Sequence, residues 1–312
     1  MRGILTSNTL WATDFRDLND STELKLIRVP LERALTQRFL DVTKRQRRKS
    51  LRLDRAITRF GGLKKISETN AKTFVGMLYA STFSPEEDYK GVEDLRSPAF
   101  VTSFCTHTSE EYERRNGLLS QWRAYGGEGG YCLVFDTARL FEFLNTEYML
   151  RAYMTMAVDE VIYFNSEQDV GDIFPDLMRV CEAMFLKALS SEARDLEDIF
   201  TPFIKAAQFC KHHAFYEERE VRIAVRPATD GWCRSMARER NANMPPLKPV
   251  ETGEGDRGRV VLFEDRSEPL PVVRVIVGPS AHQRENAAKV RALLPGVEVH
   301  LSATPFLPKS RP

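Results

Sequence analysis

The sequence predicts an α+β fold: a mixed or antiparallel central sheet of short strands, with helices inserted among them. Three observations carry that expectation. Short β-branched and aromatic runs, such as Ala99–Cys105, Tyr131–Phe135 and Val272–Val277, are bounded by Gly, Pro or Asp. Stretches with helical spacing fall between such runs without the regular alternation of a parallel α/β sheet. A chain of 312 residues, 42% of them hydrophobic, is also long enough to bury one large core.

Thr9–Thr13 reads as a short extended piece. The Asn19-Asp20-Ser21 cluster behind it is turn chemistry and a helix N-cap. From about 23 to 59 the pattern is helical, interrupted near Pro30, with Leu31, Leu40, Val42, Leu51, Leu53 and Ile57 spread among many charges. A second helix is expected over 71–82, stopped by Ser84-Pro85. The stretch 23–90 therefore reads as a helical insertion within a single domain spanning 1–312. Ser97-Pro98 introduces the 99–105 strand. A short helix over 116–125 and the glycines Gly126–Gly130 lead to the buried strand 131–135, and Asp136-Thr137 caps a helix to about 145. A strand over 159–164 and amphipathic helices over 173–190 and 195–213 deliver the chain to a strand at 218–225. Residues 227–257, rich in Arg, Asn, Gly and Pro, read as an irregular loop. Strands at 260–263 and 272–277, a helix over 281–294 and a strand over 297–301 close the fold.

Composition narrows the function classes. Forty-five basic residues against 44 acidic ones give no global attraction to nucleic acid or anionic lipid. No run approaches the roughly 18 apolar residues that a membrane span needs, and the N-terminus has no apolar h-region of a signal peptide. Five widely spaced cysteines without a C-x-x-C pair argue against a disulfide framework and a zinc knuckle. A reduced, cytoplasmic protein is expected, with no membrane partner.

The strongest candidate for chemistry lies in Phe209–Val225. In a strand, Arg219, Val221, Ile223 and Val225 share one face while Glu218, Glu220 and Arg222 share the other. Two carboxylates and a guanidinium in a row can hold a ligand; the competing reading is a solvated face with its own ion pairs. Thr102 and Ser103 place hydroxyls in an apolar strand, for a polar ligand or for their own backbone. Trp122 and Tyr125, three apart on a helix, can stack on a flat ring or sit in the core. The glycines at 126–130 lack the Lys-Ser/Thr of a P-loop, and G-x-G-x-x-G is absent. The basic run Lys44–Arg55 can grip phosphates, yet no aromatic residues interleave to stack on bases, and such runs are usually a wet helix face. Adjacent His212 and His213 diverge, so no metal is expected.

Several of these segments together resemble a known family. Asp17-Leu-Asn-Asp-Ser-Thr-Glu23 is similar to its F-N-D-P-x-E block. Val101-Thr-Ser-Phe104, Gln121-Trp-Arg-Ala-Tyr-Gly126 and Gly130-Tyr-Cys-Leu-Val-Phe-Asp136 resemble its S-F-S, L-W-x-x-Y-G and G-x-C-I-x-F-D elements. Phe209-Cys-Lys211, Phe215, Glu218, Glu220 and Arg222 look like F-x-K followed by W-x-x-E-x-E-x-R. Val273–Pro279 and Leu301–Pro305 look like its C-terminal strand–helix–strand. The family is domain of unknown function 2971, which includes bacterial proteins described as abortive phage-infection factors. Its pattern is in turn similar to the ADP-ribosyltransferase fold. That likeness implies a pocket shaped by Thr102 and Ser103, with Trp122 or Tyr125 stacked on nicotinamide and Lys211 beside the cofactor. It also implies that Glu220 or Glu218 is the catalytic carboxylate; Glu220 is the expected one, supported by Glu218 and Arg222. Family members begin with a strand ahead of a helix ending near I-L; Met1-Arg-Gly-Ile-Leu5 falls inside that helix, so the first strand is expected to be missing. The resulting expectation is an NAD-dependent ADP-ribosyltransferase or NAD-cleaving effector, a toxin or phage-defence protein. Its acceptor would be a protein or nucleic acid, and an antitoxin its partner. A non-catalytic binding or regulatory protein and a nucleic-acid-processing effector are the alternatives.

Overall fold

In the first half of the chain the computed structural model places α1 (Arg2–Ser7), β1 (Leu10–Asp14), α2 (Arg28–Arg47), α3 (Leu51–Arg59), α4 (Leu63–Thr82), β2 (Phe100–Cys105), α5 (Glu111–Asn116), α6 (Leu119–Tyr125), β3 (Tyr131–Phe135) and α7 (Thr137–Leu150). There follow β4 (Tyr153–Glu160), β5 (Ile162–Phe164), α8 (Val170–Ile173), α9 (Pro175–Ser190), α10 (Glu197–Gln208), β6 (Cys210–His212), β7 (Glu220–Pro227), α11 (Asp230–Arg240), β8 (Glu251–Thr252), β9 (Gly258–Leu262), β10 (Val272–Val277), α12 (Gln283–Leu293) and β11 (Glu298–Leu301). All residues are described except 1, 19–21, 23, 49, 84–96, 128, 166–167, 191–196, 253–257 and 306–312. The expected cap at Asn19-Asp20-Ser21, the Glu23 start and the Ser84-Pro85 stop lie outside the described residues.

The expected α+β class is borne out. Six strands form one sheet in the order β4-β7-β2-β1-β9-β8, and every pairing within it is antiparallel. A second sheet, β11-β10-β3, is mixed, with β11 parallel and β3 antiparallel to β10. Strands β5 and β6 pair in parallel as a short separate ribbon.

Alternation decides what each face of the large sheet meets. Leu10, Ala12, Phe100, Ile223, Val225, Val260 and Leu262 point into a core shared with Leu140, Phe143 and Leu144 of α7. Phe104 of β2 meets Phe135 of β3 edge-on at 5.5 Å, which joins the two sheets. On the other face lie Arg222 and Arg226, whose guanidinium groups reach the backbone carbonyls of Gln208 and Thr82 where the helical layer ends.

That helical layer has its own core. Phe39 of α2 stacks on Phe185 of α9 at 3.8 Å and meets Phe74 of α4 edge-on at 5.5 Å. The helical stretch expected as an insertion thus shares its interior with Cys181 and Phe185 of α9 and with Ile199 and Phe203 of α10. Pro30 sits in the first turn of α2, where its missing N–H costs nothing. Asp136 caps α7 by accepting from the Arg139 N–H, as the sequence predicts.

Four element boundaries need correction. Helix α4 starts at Leu63 rather than near Ala71, after Gly62 with φ of 101°. The strand expected at 159–164 is two strands: β4 begins at Tyr153, and a register shift between Tyr153 and Thr155 hides its alternation. The helix expected over 195–213 ends at Gln208, and Cys210–His212 is a strand. Residues 227–257 are not wholly irregular. Helix α11 starts where Thr229 accepts from the Trp232 N–H and ends at left-handed Asn241. The following segment is pinned by Lys248, whose buried ammonium meets Glu147 at 2.8 Å and Glu264 at 2.9 Å. Among the described residues no helix is long and apolar enough to cross a membrane.

Because Phe39 packs against both α4 and α9, Phe39→Ala is expected to cost about 3–5 kcal/mol of stability. Urea unfolding followed by circular dichroism measures it; a loss under 1 kcal/mol would mean that the helical core is not built as described.

Candidate functional site

The β2–β7 register brings the candidate residues together. Ser103 faces Arg222, and Cys105 faces Glu220, on directly paired positions. Glu218 is not on the strand, contrary to the expected row. It closes a 3-10 turn over His213–Glu218, and Arg219 then turns the chain in the left-handed region with φ of 45°. Strand β7 starts only at Glu220. Lys211 on β6 nevertheless bridges the two carboxylates, at 2.7 Å from Glu218 and 2.9 Å from Glu220.

Of the solvated-face reading of this row, the internal ion pair is present but the solvation of Glu220 and Arg222 is not. Arg222 is fully buried and Glu220 is 5% exposed, because the end of α10 and the β5–β6 ribbon cover this face. Arg222 donates from Nε to Glu220 Oε1 at 2.7 Å, from Nη2 to Oε2 at 3.2 Å and from Nη1 to the Gln208 carbonyl at 2.9 Å. The Ser103 hydroxyl adds a short hydrogen bond to Glu220 Oε1. Behind the carboxylate, the Glu220 N–H donates to the Tyr163 hydroxyl at 2.8 Å.

These contacts set the ionisation. Burial pushes the Glu220 carboxyl up, but Arg222, the Ser103 hydroxyl and the Lys211 charge outweigh it, so its pKa lies below the usual carboxylate value. Burial likewise disfavours the Lys211 charge, yet Glu218 and Glu220 reverse this and raise its pKa. Glu220 and Lys211 are therefore held in their charged forms at neutral pH. Glu220 is a poor general base: its oxygens already accept from three side chains. Glu218 differs. Its side chain is 22% exposed, and the Tyr125 hydroxyl approaches its Oε1 at 3.3 Å.

A second layer holds the corner. The Arg219 guanidinium meets Glu113 at 2.7 Å, and the Arg219 carbonyl accepts from the Thr106 N–H at 2.9 Å and from its hydroxyl at 3.1 Å. Hydrogen bonds from the Thr108 hydroxyl and N–H, with help from Arg219, hold the Glu113 carboxyl down at about 2. The Cys105 sulfur donates to the Glu218 carbonyl at 2.8 Å. Desolvation pushes that thiol up to about 12, which leaves no thiolate nucleophile at neutral pH.

The structure thus brings together Ser103, Tyr125, Lys211, Glu218, Glu220 and Arg222. It does not bring Thr102 or Trp122 to them. Thr102 pairs with Ile223 on the opposite face, and its hydroxyl donates to the Trp11 carbonyl at 2.8 Å; adjacent strand residues cannot share one pocket. Trp122 is buried, with its indole N–H on the Asn116 carbonyl at 2.8 Å. The ring occupies space that two glycines leave open, since a Cβ on Gly117 or Gly278 would lie 2.8 Å from it. Tyr163, Glu113 and Thr108 were missed by sequence reasoning, of which only Tyr163 lay on an expected strand; Arg219 was placed on the apolar face of the strand, whereas it caps the 3-10 turn ahead of it. Among the described residues, no group of three or more His, Cys, Asp or Glu is placed to hold a metal ion.

Residues 121–223 match the model of a family described as protein of unknown function (DUF2971). The match runs from α6 to the middle of β7, so it contains Tyr125, Lys211, Glu218, Glu220 and Arg222 but not Ser103 or the Glu113 clamp. No curated protein and no solved structure matches the chain.

Two outcomes test this geometry. Arg222→Met leaves a buried carboxylate with one cation fewer and is expected to cost about 3–5 kcal/mol in chemical denaturation; a loss below 1 kcal/mol would contradict the burial described. Glu113→Gln is expected to destabilise at pH 7. The folded pKa of about 2 lies below the ordinary 4.5, so the wild-type advantage is full above about pH 4.5 and is lost as pH falls toward 2. Urea midpoints of both proteins across that range check the sign, and a gap that widens in acid would refute it.

Proposed function

We propose that the cluster at the end of β2 and β7 is the site of an NAD-cleaving enzyme, a glycohydrolase or ADP-ribosyltransferase. The observation that supports this reading is the accessible Glu218 carboxylate beside the exposed Tyr125 ring, set on a frame of buried charges. Cleavage breaks the bond between ribose C1′ and the nicotinamide nitrogen. The bonding pair leaves with nicotinamide, and C1′ develops oxocarbenium character. Water or an acceptor nucleophile then adds to C1′ and gives up its proton to solvent.

In this reading Glu218 accepts from the ribose 2′-hydroxyl and faces the positive charge that develops beside it. Tyr125, 59% exposed, offers its ring to the nicotinamide face. Glu220 takes the positioning role: with Arg222 and Ser103 it holds Lys211, and Lys211 holds Glu218. The hydroxyl-bearing strand β2 pairs with β7, which carries the positioning Glu220, and the turn just ahead of β7 presents Glu218; an ADP-ribosyltransferase-like fold calls for a comparable pairing with the carboxylate on the strand itself. An intracellular effector that consumes NAD during phage infection, restrained by an antitoxin, is the biological setting that the sequence resemblance suggests.

A specific observation favours a second reading. Glu220 has its oxygens fully engaged and little exposure, as a structural strut would. In that reading the protein is a non-catalytic binding or regulatory module.

Incubation with nicotinamide-labelled NAD separates the two. Release by the wild type, with a fall of about 100-fold or more in Glu218→Gln and an unchanged melting temperature, is the expected result; that fall is the scale of losing one positioned catalytic charge. Tyr125→Ala should raise KM more than it lowers kcat. No release by the wild type, with or without protein acceptors, would leave the structural reading standing.

A further inference from the structure

Ten of the chain's basic residues and a single acid, Asp54, fall within 44–65, although the chain as a whole carries a net charge of only +1. This stretch forms the turn-around of the helical layer: the end of α2, all of α3 and the start of α4. Some of its cations are matched. Arg47 meets Asp54 at 2.5 Å, Arg45 meets Glu182 at 2.7 Å, Lys44 lies 3.8 Å from Asp41 and Lys64 lies 4.0 Å from Glu68. Arg48, Arg52, Arg55, Arg59 and Lys65 are all exposed, and none has a carboxylate partner among the described residues. Arg52, Arg55 and Arg59 stand at i, i+3 and i+7 of α3, on one face, where like charges repel and weaken the helix. An ordinary wet helix face relieves that repulsion with interspersed acids; here Asp54 alone is available.

We propose that this helical tip is a binding surface for the phosphodiester backbone of nucleic acid, separate from the carboxylate cluster. Guanidinium groups dominate the unmatched set, and their planar fork suits phosphate oxygens. Phe60 ends α3 at the same tip and is 58% exposed, which supplies a ring for an unpaired base. Within the densest basic run, Lys44–Arg55, the sequence has no interleaved aromatic; Phe60 follows directly after Arg59. A membrane surface fits less well. The apolar side of α3, carried by buried Ile57 and half-buried Leu53 and Ala56, is turned into the protein. Leu51 and Phe60 are exposed at opposite ends of the helix with arginines between them, so no contiguous apolar face remains to insert into lipid.

Fluorescence anisotropy of the full chain with a labelled mixed-sequence single-stranded RNA, and with a DNA duplex, tests this. Both are expected to bind, with affinity falling linearly in the logarithm of salt concentration. Arg52→Glu/Arg55→Glu/Arg59→Glu should weaken binding at least about tenfold and lower the single-strand salt slope by about 2, the share of three phosphate contacts. Phe60→Ala should weaken the single strand only. Circular dichroism checks that the triple variant folds; if it does not, the Gln triple at the same positions replaces it, with a smaller expected loss. The charge-matched control Arg179→Glu/Lys187→Glu/Arg284→Glu, placed elsewhere on the surface, should bind like the wild type. The proposal is overturned by an absence of binding at low salt or by an equal loss in the control. Binding to phosphatidylserine vesicles, but not to either nucleic acid, would overturn it as well.

Discussion

The Arg222 guanidinium has no access to water, and the arrangement of the central sheet follows from that. A buried cation is tolerable only where its N–H groups and its charge are both met. Glu220, two residues away on the same strand face, meets the charge, and the Gln208 carbonyl at the end of α10 takes a further N–H. The pairing fixes the register of β7 as well. A slip of one residue would carry Arg222 into the apolar core beside α7 and put Ile223 in the buried polar site beside Glu220, Lys211 and the Gln208 carbonyl. The buried pair therefore fixes three things together: the face that β7 presents, the end of α10 and the direction from which β6 brings Lys211.

Much of this was legible from single elements, and the rest depended on contacts that a strand pattern does not encode. The period of two in residues 219–225 correctly sent Ile223 and Val225 to the core. It could not say what lay over the opposite face, and that face proved to be buried as well. Glu218 was assigned to the strand because nothing in Glu218-Arg219-Glu220 signals a left-handed residue; Arg219 adopts it without glycine, held by Glu113 and Thr106. Trp122 and Tyr125 share a helical spacing yet part company, since Gly117 and Gly278 open a slot for one ring only. Those glycines lie on either side of it in sequence, one of them far away. Helix α11 was hidden by its polar composition, although the Thr229 cap that starts it is a local signal.

Charge in this molecule is used in two distinct ways. Lys248 with Glu147 and Glu264, and Arg222 with Glu220 and Lys211, are closed sets in which each buried cation has its acid. Such sets add specificity more than net stability, because desolvation offsets most of their attraction. The tip around α3 is the opposite case: Arg48, Arg52, Arg55, Arg59 and Lys65 stand out in water with no carboxylate partner among the described residues. A chain that meets these interior cations with acids and leaves several exposed ones unmatched has a charge distribution that composition alone conceals.

The same reasoning bears on which carboxylate can act. Two acids and two bases at the end of β7 sum to no net charge, so a cation approaching from outside meets no strong field from the set as a whole. What it meets is the nearest uncovered atom. Glu220 offers none, since Ser103, Lys211 and Arg222 occupy its lone pairs from three directions. Glu218 accepts from Lys211 through Oε2 and touches only a long hydroxyl contact through Oε1. Lys211 ties the two together: weakening its hold on Glu220 would strengthen its hold on Glu218 and blunt the one carboxylate oxygen left to a ligand. Burial of Glu220 and availability of Glu218 are thus two sides of one ammonium's allegiance, and any chemistry at this corner depends on how that ammonium is shared.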